Sequence, residues 1–190
     1  MKKIFLLILL LSPLLIYAQT EQQIRTHYQD INKKISESKQ QGYEGSLYCN
    51  EWTANKNGKS WPAVGTYQQT TEFWYNDDPA HIPAKERNPV NVLEKVNITT
   101  TSSALTTNEE FLFLNGKLVF YYKHEGEEGL NIETRLYFNA KGLFKSSVKA
   151  NGSELSAADF QKEEFKLFRP DAAAVMKLAK EYQVLFVKSM

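Results

Sequence analysis

Phe111-Leu-Phe-Leu114, Asn115-Gly116, then Leu118-Val-Phe-Tyr-Tyr122: two β-favouring runs around an Asn-Gly pair decide the fold. Asn-Gly readily takes the positive φ that a two-residue hairpin turn needs, so this spacing predicts strand, turn and returning strand. The pattern continues outward. Ile132, Thr134, Leu136 and Phe138 alternate with period two, Asn139-Ala-Lys-Gly142 reads as a turn, and a further strand runs from Leu143 to Val148. In the first hairpin both faces are apolar, with Phe111, Phe113, Leu118, Phe120 and Tyr122 alternating with Leu112, Leu114, Val119 and Tyr121. Such strands are covered on both sides.

Covers for the two faces are written at the two ends of the chain. From Glu21 to Gln41 the residues Ile24, Tyr28, Ile31 and Ile35 make one stripe of an amphipathic helix, which Gly42 ends. Near the other end, Ser156-Ala-Ala-Asp159 reads as a helix start and Phe160, Phe165 and Phe168 supply apolar contacts. Arg169-Pro170-Asp171 then breaks the chain, and Val175, Leu178, Tyr182 and Leu185 form another helical stripe.

Between the first helix and the central hairpin, Ser46 to Thr53 reads as a strand, Asn57-Gly58 as a turn, and Lys59 onward as the returning strand, with Trp52 and Trp61 near opposite positions. Ala63 to Tyr75 and Val90 to Thr107 also read as strand. The connection from Asn76 to Pro89 carries Pro79, Pro83 and Pro89, which deny it ladder hydrogen bonds and make it a surface loop. The expected class is α+β: an amphipathic N-terminal helix, an antiparallel meander sheet of about seven strands, and two C-terminal helices packed on the sheet. The Asn115-Gly-Lys-Leu118 turn, matched by Asn139-Ala-Lys-Gly-Leu143, resembles the hairpin units of MORN-type repeat proteins over these two hairpins. A solenoid needs several copies, so a single meander is the reading kept.

Lys2-Lys3, the apolar run Ile4 to Ile16 and the small residue Ala18 have the three regions of a secretory signal peptide. At about 13 residues the run is shorter than the roughly 20 that span a bilayer. The expected division is a cleaved signal peptide over residues 1–18 and a single α+β domain over 19–190, located in the periplasm or secreted, with no membrane span after cleavage. Without Lys2 and Lys3 the domain holds 21 basic and 22 acidic residues, a balance that suggests neither nucleic acid nor an anionic membrane as partner. Cys49 is the single cysteine, which excludes an intramolecular disulfide. A buried inert thiol and an intermolecular disulfide are its two readings.

No strong catalytic motif is present, and no cofactor or metal is expected. Gly45-Ser46 lacks the second glycine of a nucleophile elbow, and His27, His81 and His124 have no metal-ligand spacing. His27 reads as an edge-of-core or solvent histidine. Asp77, Asp78 and His81 are ligand types, but Asp-Pro turn chemistry accounts for the loop without a metal. The acidic pairs Glu109-Glu110 and Glu127-Glu128 read as solvated turn residues.

Aromatics make up 13% of the chain, and Trp52, Trp61, Tyr67, Phe73, Trp74 and Tyr75 crowd into one third of it. Tyr67, Phe73 and Tyr75 share one strand face, the core side; Trp74 shares the other with Gln68, Thr70 and Glu72. A large aromatic on a polar face suits stacking on a ligand. Trp74, Glu72, Gln68, Thr70 and, in the adjoining loop, His81 are therefore the candidate ligand-binding residues. The expected function is a non-enzymatic binding module, one form of which would be an inhibitor or immunity protein. Its partner would be a protein or glycan of the cell envelope, or a small apolar ligand. The competing expectation is a small pocket enzyme on a cone-shaped curved sheet, with His124, Tyr122 or Glu72 inside.

Overall fold

Thr20 and Gln23 start the first helix by reciprocal capping: the Gln23 backbone N–H donates to Thr20 Oγ1 at 3.2 Å and the Thr20 N–H donates to Gln23 Oε1 at 2.9 Å. The computed structural model describes residues 20–62, 65–77, 88–103, 105–127 and 129–190. Helix α1 spans Glu21–Gln41 and buries Ile24, Ile31 and Ile35. Gly42 ends it at φ 62°, in the left-handed region that glycine enters without strain.

The strands are β1 (Tyr48–Ala54), β2 (Ser60–Trp61), β3 (Gly65–Tyr75), β4 (Leu93–Ser102), β5 (Leu105–Leu114), β6 (Lys117–Glu127), β7 (Leu130–Asn139), β8 (Gly142–Ala150) and β9 (Ser153–Glu154). They form one antiparallel sheet of nine strands in the order β1-β3-β4-β5-β6-β7-β8-β9, with β2 paired on β3. A one-turn helix, α2 (Pro89–Val92), enters β4; α3 (Glu163–Lys166) and α4 (Ala172–Ser189) follow the sheet. Asp171 caps α4, its Oδ1 accepting from the Ala174 N–H at 2.9 Å. The architecture is α+β, as the periodicities predict.

The two covers lie on opposite faces. Ile24, Ile31 and Ile35 of α1 pack with Trp74, Leu112, Phe120 and Tyr137. On the other face Phe73, Val96, Phe111, Phe113, Leu136 and Phe138 pack with Ala179 and Phe186 of α4, and Val175, Leu178, Tyr182 and Leu185 flank them. Leu155, Phe160, Phe165 and Phe168 cover a third cluster around Ile132 and Val148. Because β5 to β7 are sandwiched, both of their side-chain sets are apolar, which is the pattern that decided the fold.

Three local expectations change. β1 does not pair with the strand that follows it: Trp52 stands opposite Thr71 of β3, and Trp61 opposite Gly65, so the two tryptophans are not cross-strand partners. The long β3 offers β1 a seven-residue ladder, where the two-residue β2 offers almost none. Glu109 and Glu110 lie inside β5, not in a turn, and point to opposite faces. The segment Ser156–Asp159 forms a turn leading into a 3-10 turn at Asp159–Gln161 rather than a full helix, with Asp159 Oδ2 accepting from both Ser156 N–H and Oγ–H.

The Asn115-Gly116 turn is formed, with φ 50° and 71°. A Cβ on Gly116 would lie 2.7 Å from Asn91 Oδ1 and 3.1 Å from Val90 Cγ1. Gly116→Val is accordingly expected to cost about 1–3 kcal/mol, from backbone strain plus this crowding. Denaturant melts of the two proteins measure it, and an unchanged midpoint would mean that the turn is absent in solution.

Candidate functional site

Helix α1 crosses the strands, and its polar side chains mark the crossing. Glu21 accepts from Lys145 Nζ of β8 at 2.7 Å, Tyr28 reaches β5 and β6, Asn32 reaches β4, and Lys39 Nζ donates to Glu72 of β3 at 2.8 Å. At the centre lies Lys95, 2% exposed. Its ammonium donates to Asn32 Oδ1 at 2.6 Å, pairs with Glu110 Oε2 at 2.7 Å and sits 4.6 Å from the centre of the Tyr28 ring. Tyr28 O–H donates to the same Glu110 oxygen at 2.7 Å. Burial pulls the Lys95 pKa below its ordinary value, with Glu110 opposing that effect only in part.

Trp74 and Glu72 occupy the flank nearest Lys39. Trp74 is on the same face as Gln68, Thr70 and Glu72, as alternation requires, but it is 4% exposed because α1 lies over it. The open stacking platform read from its strand is therefore a buried core position. Its indole N–H donates to Glu72 Oε2 at 2.9 Å, and Asn97 Nδ2 donates to that oxygen at 3.3 Å. Desolvation pushes the Glu72 carboxyl upward, yet the bonds from Lys39, Trp74 and Asn97 together outweigh it and hold the group below its usual value. Thr70 is half-buried on the same strand, while the half-buried Gln68 donates to Lys56 O at 3.3 Å. His81 and Asp78 lie outside the described residues, as do residues 1–19.

On the far side of Lys95, α1 and the β6–β7 pair leave a cleft of about 310 Å³. Its walls are Arg25, Tyr28 and Gln29 of α1 with Phe120, Tyr122, Arg135 and Tyr137 of the sheet. The rings form a continuous series: Tyr28 meets Phe120 edge-on at 5.2 Å, and Phe120 lies 4.9 Å from Tyr137. The Arg25 guanidinium is 5.7 Å from the Tyr137 ring centre and that of Arg135 is 5.2 Å from Tyr122, within cation–π range. Each arginine already has one carboxylate, Glu21 and Glu133 respectively, both at 2.7 Å. A guanidinium carries five N–H donors, so one such partner leaves donors for a ligand. Burial, reinforced by Glu110 for Tyr28 and Glu133 for Tyr122, pushes both phenols above their ordinary value, and they remain proton donors at neutral pH. The cleft can thus offer π faces, hydroxyls and guanidinium donors.

Of the residues named for a pocket, only Tyr122 lines this cleft. Arg25, Tyr28, Arg135 and Tyr137 carried no signal of their own, because their convergence depends on how α1 crosses the sheet. Cys49 is exposed on edge strand β1, against the expectation of burial. Desolvation of its sulfur, then the nearby Glu72 carboxylate, nevertheless push the thiol up to about 12, where it is a poor nucleophile. His27 is half-buried with Nε2 3.0 Å from the Phe113 carbonyl, a satisfied histidine at the core edge. Among the described residues no group of three or more His, Cys, Asp or Glu is placed to hold a metal ion, and no helix is long and apolar enough to cross a membrane. No protein-family model, no curated protein and no solved structure matches the chain.

Proposed function

We propose that the chain is an exported, non-enzymatic binding module that holds a small ring-shaped ligand bearing an anionic group in the cleft beside α1. One acidic sugar unit of an envelope glycan has that chemistry. The observation that carries the reading is the lining: three tyrosines and a phenylalanine present ring faces and edges, two guanidiniums flank them, and the phenols of Tyr28 and Tyr122 stay protonated. At about 310 Å³ the cleft lies at the lower end of the roughly 300–1,000 Å³ found for ligand pockets, which suits one ring rather than an extended chain. The sequence-chosen residues Trp74 and Glu72 serve this site indirectly, by fixing the other end of α1.

Calorimetric titration with glucuronate as probe, and glucose as the neutral comparator, tests the proposal. Glucuronate is expected to bind saturably and more tightly than glucose. Arg135→Ala should weaken it at least tenfold, about 1.4 kcal/mol, the low end for a hydrogen bond to a charged group. Thr70→Ala, remote from the cleft lining, should leave the affinity unchanged. Absence of binding, or equal weakening by both substitutions, would overturn the assignment.

A further inference from the structure

The opposite face of the sheet holds a second cavity that the cleft does not involve. Here the turns that end β5 and β7 come against α4 and leave a pocket of about 270 Å³. Its floor is apolar: Phe113 and Phe138 from the strands and Ala179 from α4 are each almost wholly buried, with Leu118 beside them. Gln183 Nε2 donates to the Gly116 carbonyl at 2.8 Å and ties α4 to the hairpin at this point. Met176 closes one wall while remaining 40% exposed.

Lys180 lines this pocket and is exposed. Lys117 also borders it, but it stands opposite Leu114, which packs on the α1 face, so its side chain leaves toward that face. No acidic side chain lines the pocket, and Lys180 has no ion-pair partner among the described residues, whereas the neighbouring Lys177 lies 4.0 Å from Glu181. An apolar floor beside an uncompensated ammonium group is complementary to an amphiphile with one anionic head.

We infer that this pocket is a second ligand site, which takes a free medium-chain carboxylate. Its alkyl chain lies on Phe113, Leu118 and Phe138, and its carboxylate is held by Lys180. At about 270 Å³ the pocket lies just under the roughly 300–1,000 Å³ found for ligand pockets, a size for a short chain. Both the place and the ligand class are separate from those of the cleft, so either assignment can fail without the other.

Titration of the folded chain with octanoate below its micellar range, followed by calorimetry, is the test. Octanoate should bind with a one-to-one endpoint, and octanol, which has the same chain without charge, about tenfold or more weaker, as loss of a charge-assisted contact implies. The variant Lys180→Glu should lose octanoate by at least the same factor. Met176→Trp, a change at a half-open position that fills the pocket, should abolish binding while circular dichroism and the melting transition stay as in the parent. Lys177→Glu, a charge reversal of the same size outside the pocket lining, should leave binding intact. Equal binding of octanol, full binding by Met176→Trp, or an equal loss in Lys177→Glu would each overturn the proposal. So would capture by vesicles of anionic phospholipid in a protein that ignores octanoate, since the anion would then belong to a membrane surface.

Discussion

Trp74→Ala is expected to destabilise the protein by about 3–5 kcal/mol, the range for truncating a buried aromatic side chain. The indole is 4% exposed, packs in the cluster with Ile31, Ile35 and Leu112, and lies 5.4 Å from Lys39 Nζ, which covers its ring. Truncation opens a cavity under α1 and takes one of the donors that hold Glu72 ionised. Equilibrium denaturation measures the loss. A cost within about 1 kcal/mol, as for surface substitutions, would put Trp74 on the outside and restore the stacking platform that its strand alone suggests.

Lys95→Ala is expected to cost about 3 kcal/mol, because removing one partner of a buried ion pair strands the other. Glu110 would keep the Tyr28 hydroxyl, and its side chain is 23% exposed, which limits the penalty. The paired replacement Lys95→Met/Glu110→Leu should by contrast fall within about 1 kcal/mol of the parent, since both desolvation penalties disappear with both charges. A double-mutant cycle by denaturant melts separates these outcomes. If the paired replacement is as damaging as the single one, the network contributes net stability.

The two predictions share a reason why the site was harder to read than the fold. Helix α1 runs from Glu21 to Gln41, the span that its stripe and Gly42 indicate, and the central meander follows its Asn-Gly turn, since both signals are local in the chain. Strand alternation correctly put Trp74 opposite Phe73 and Tyr75; it could not say that α1 lies over the Trp74 side. Lys95 stands between Glu94 and Val96 with no local mark of burial, and its partners Asn32 and Glu110 come from α1 and β5. Glu109 and Glu110 read as turn residues because charge is a turn signal, yet each has a tyrosine hydroxyl on its own face, Tyr121 and Tyr28. The Asn57-Gly58 turn forms, with Gly58 at φ 65°, but the strand after it does not join β1: ladder length decides which strand pairs, and β3 is the longer partner for β1. Arg25 and Arg135 are ordinary surface charges in the sequence and become cleft walls only once α1 lies across β6 and β7.

That cleft is the centre of the account, and a nitrogen-15 NMR titration of the folded chain with glucuronate tests it most directly. The predicted result is a saturable set of amide shifts concentrated at Arg25, Tyr28, Tyr122 and Arg135, with the amides of Gln68 and Thr70 unmoved. Shifts centred on Gln68 and Thr70, or none at saturating probe, would contradict it.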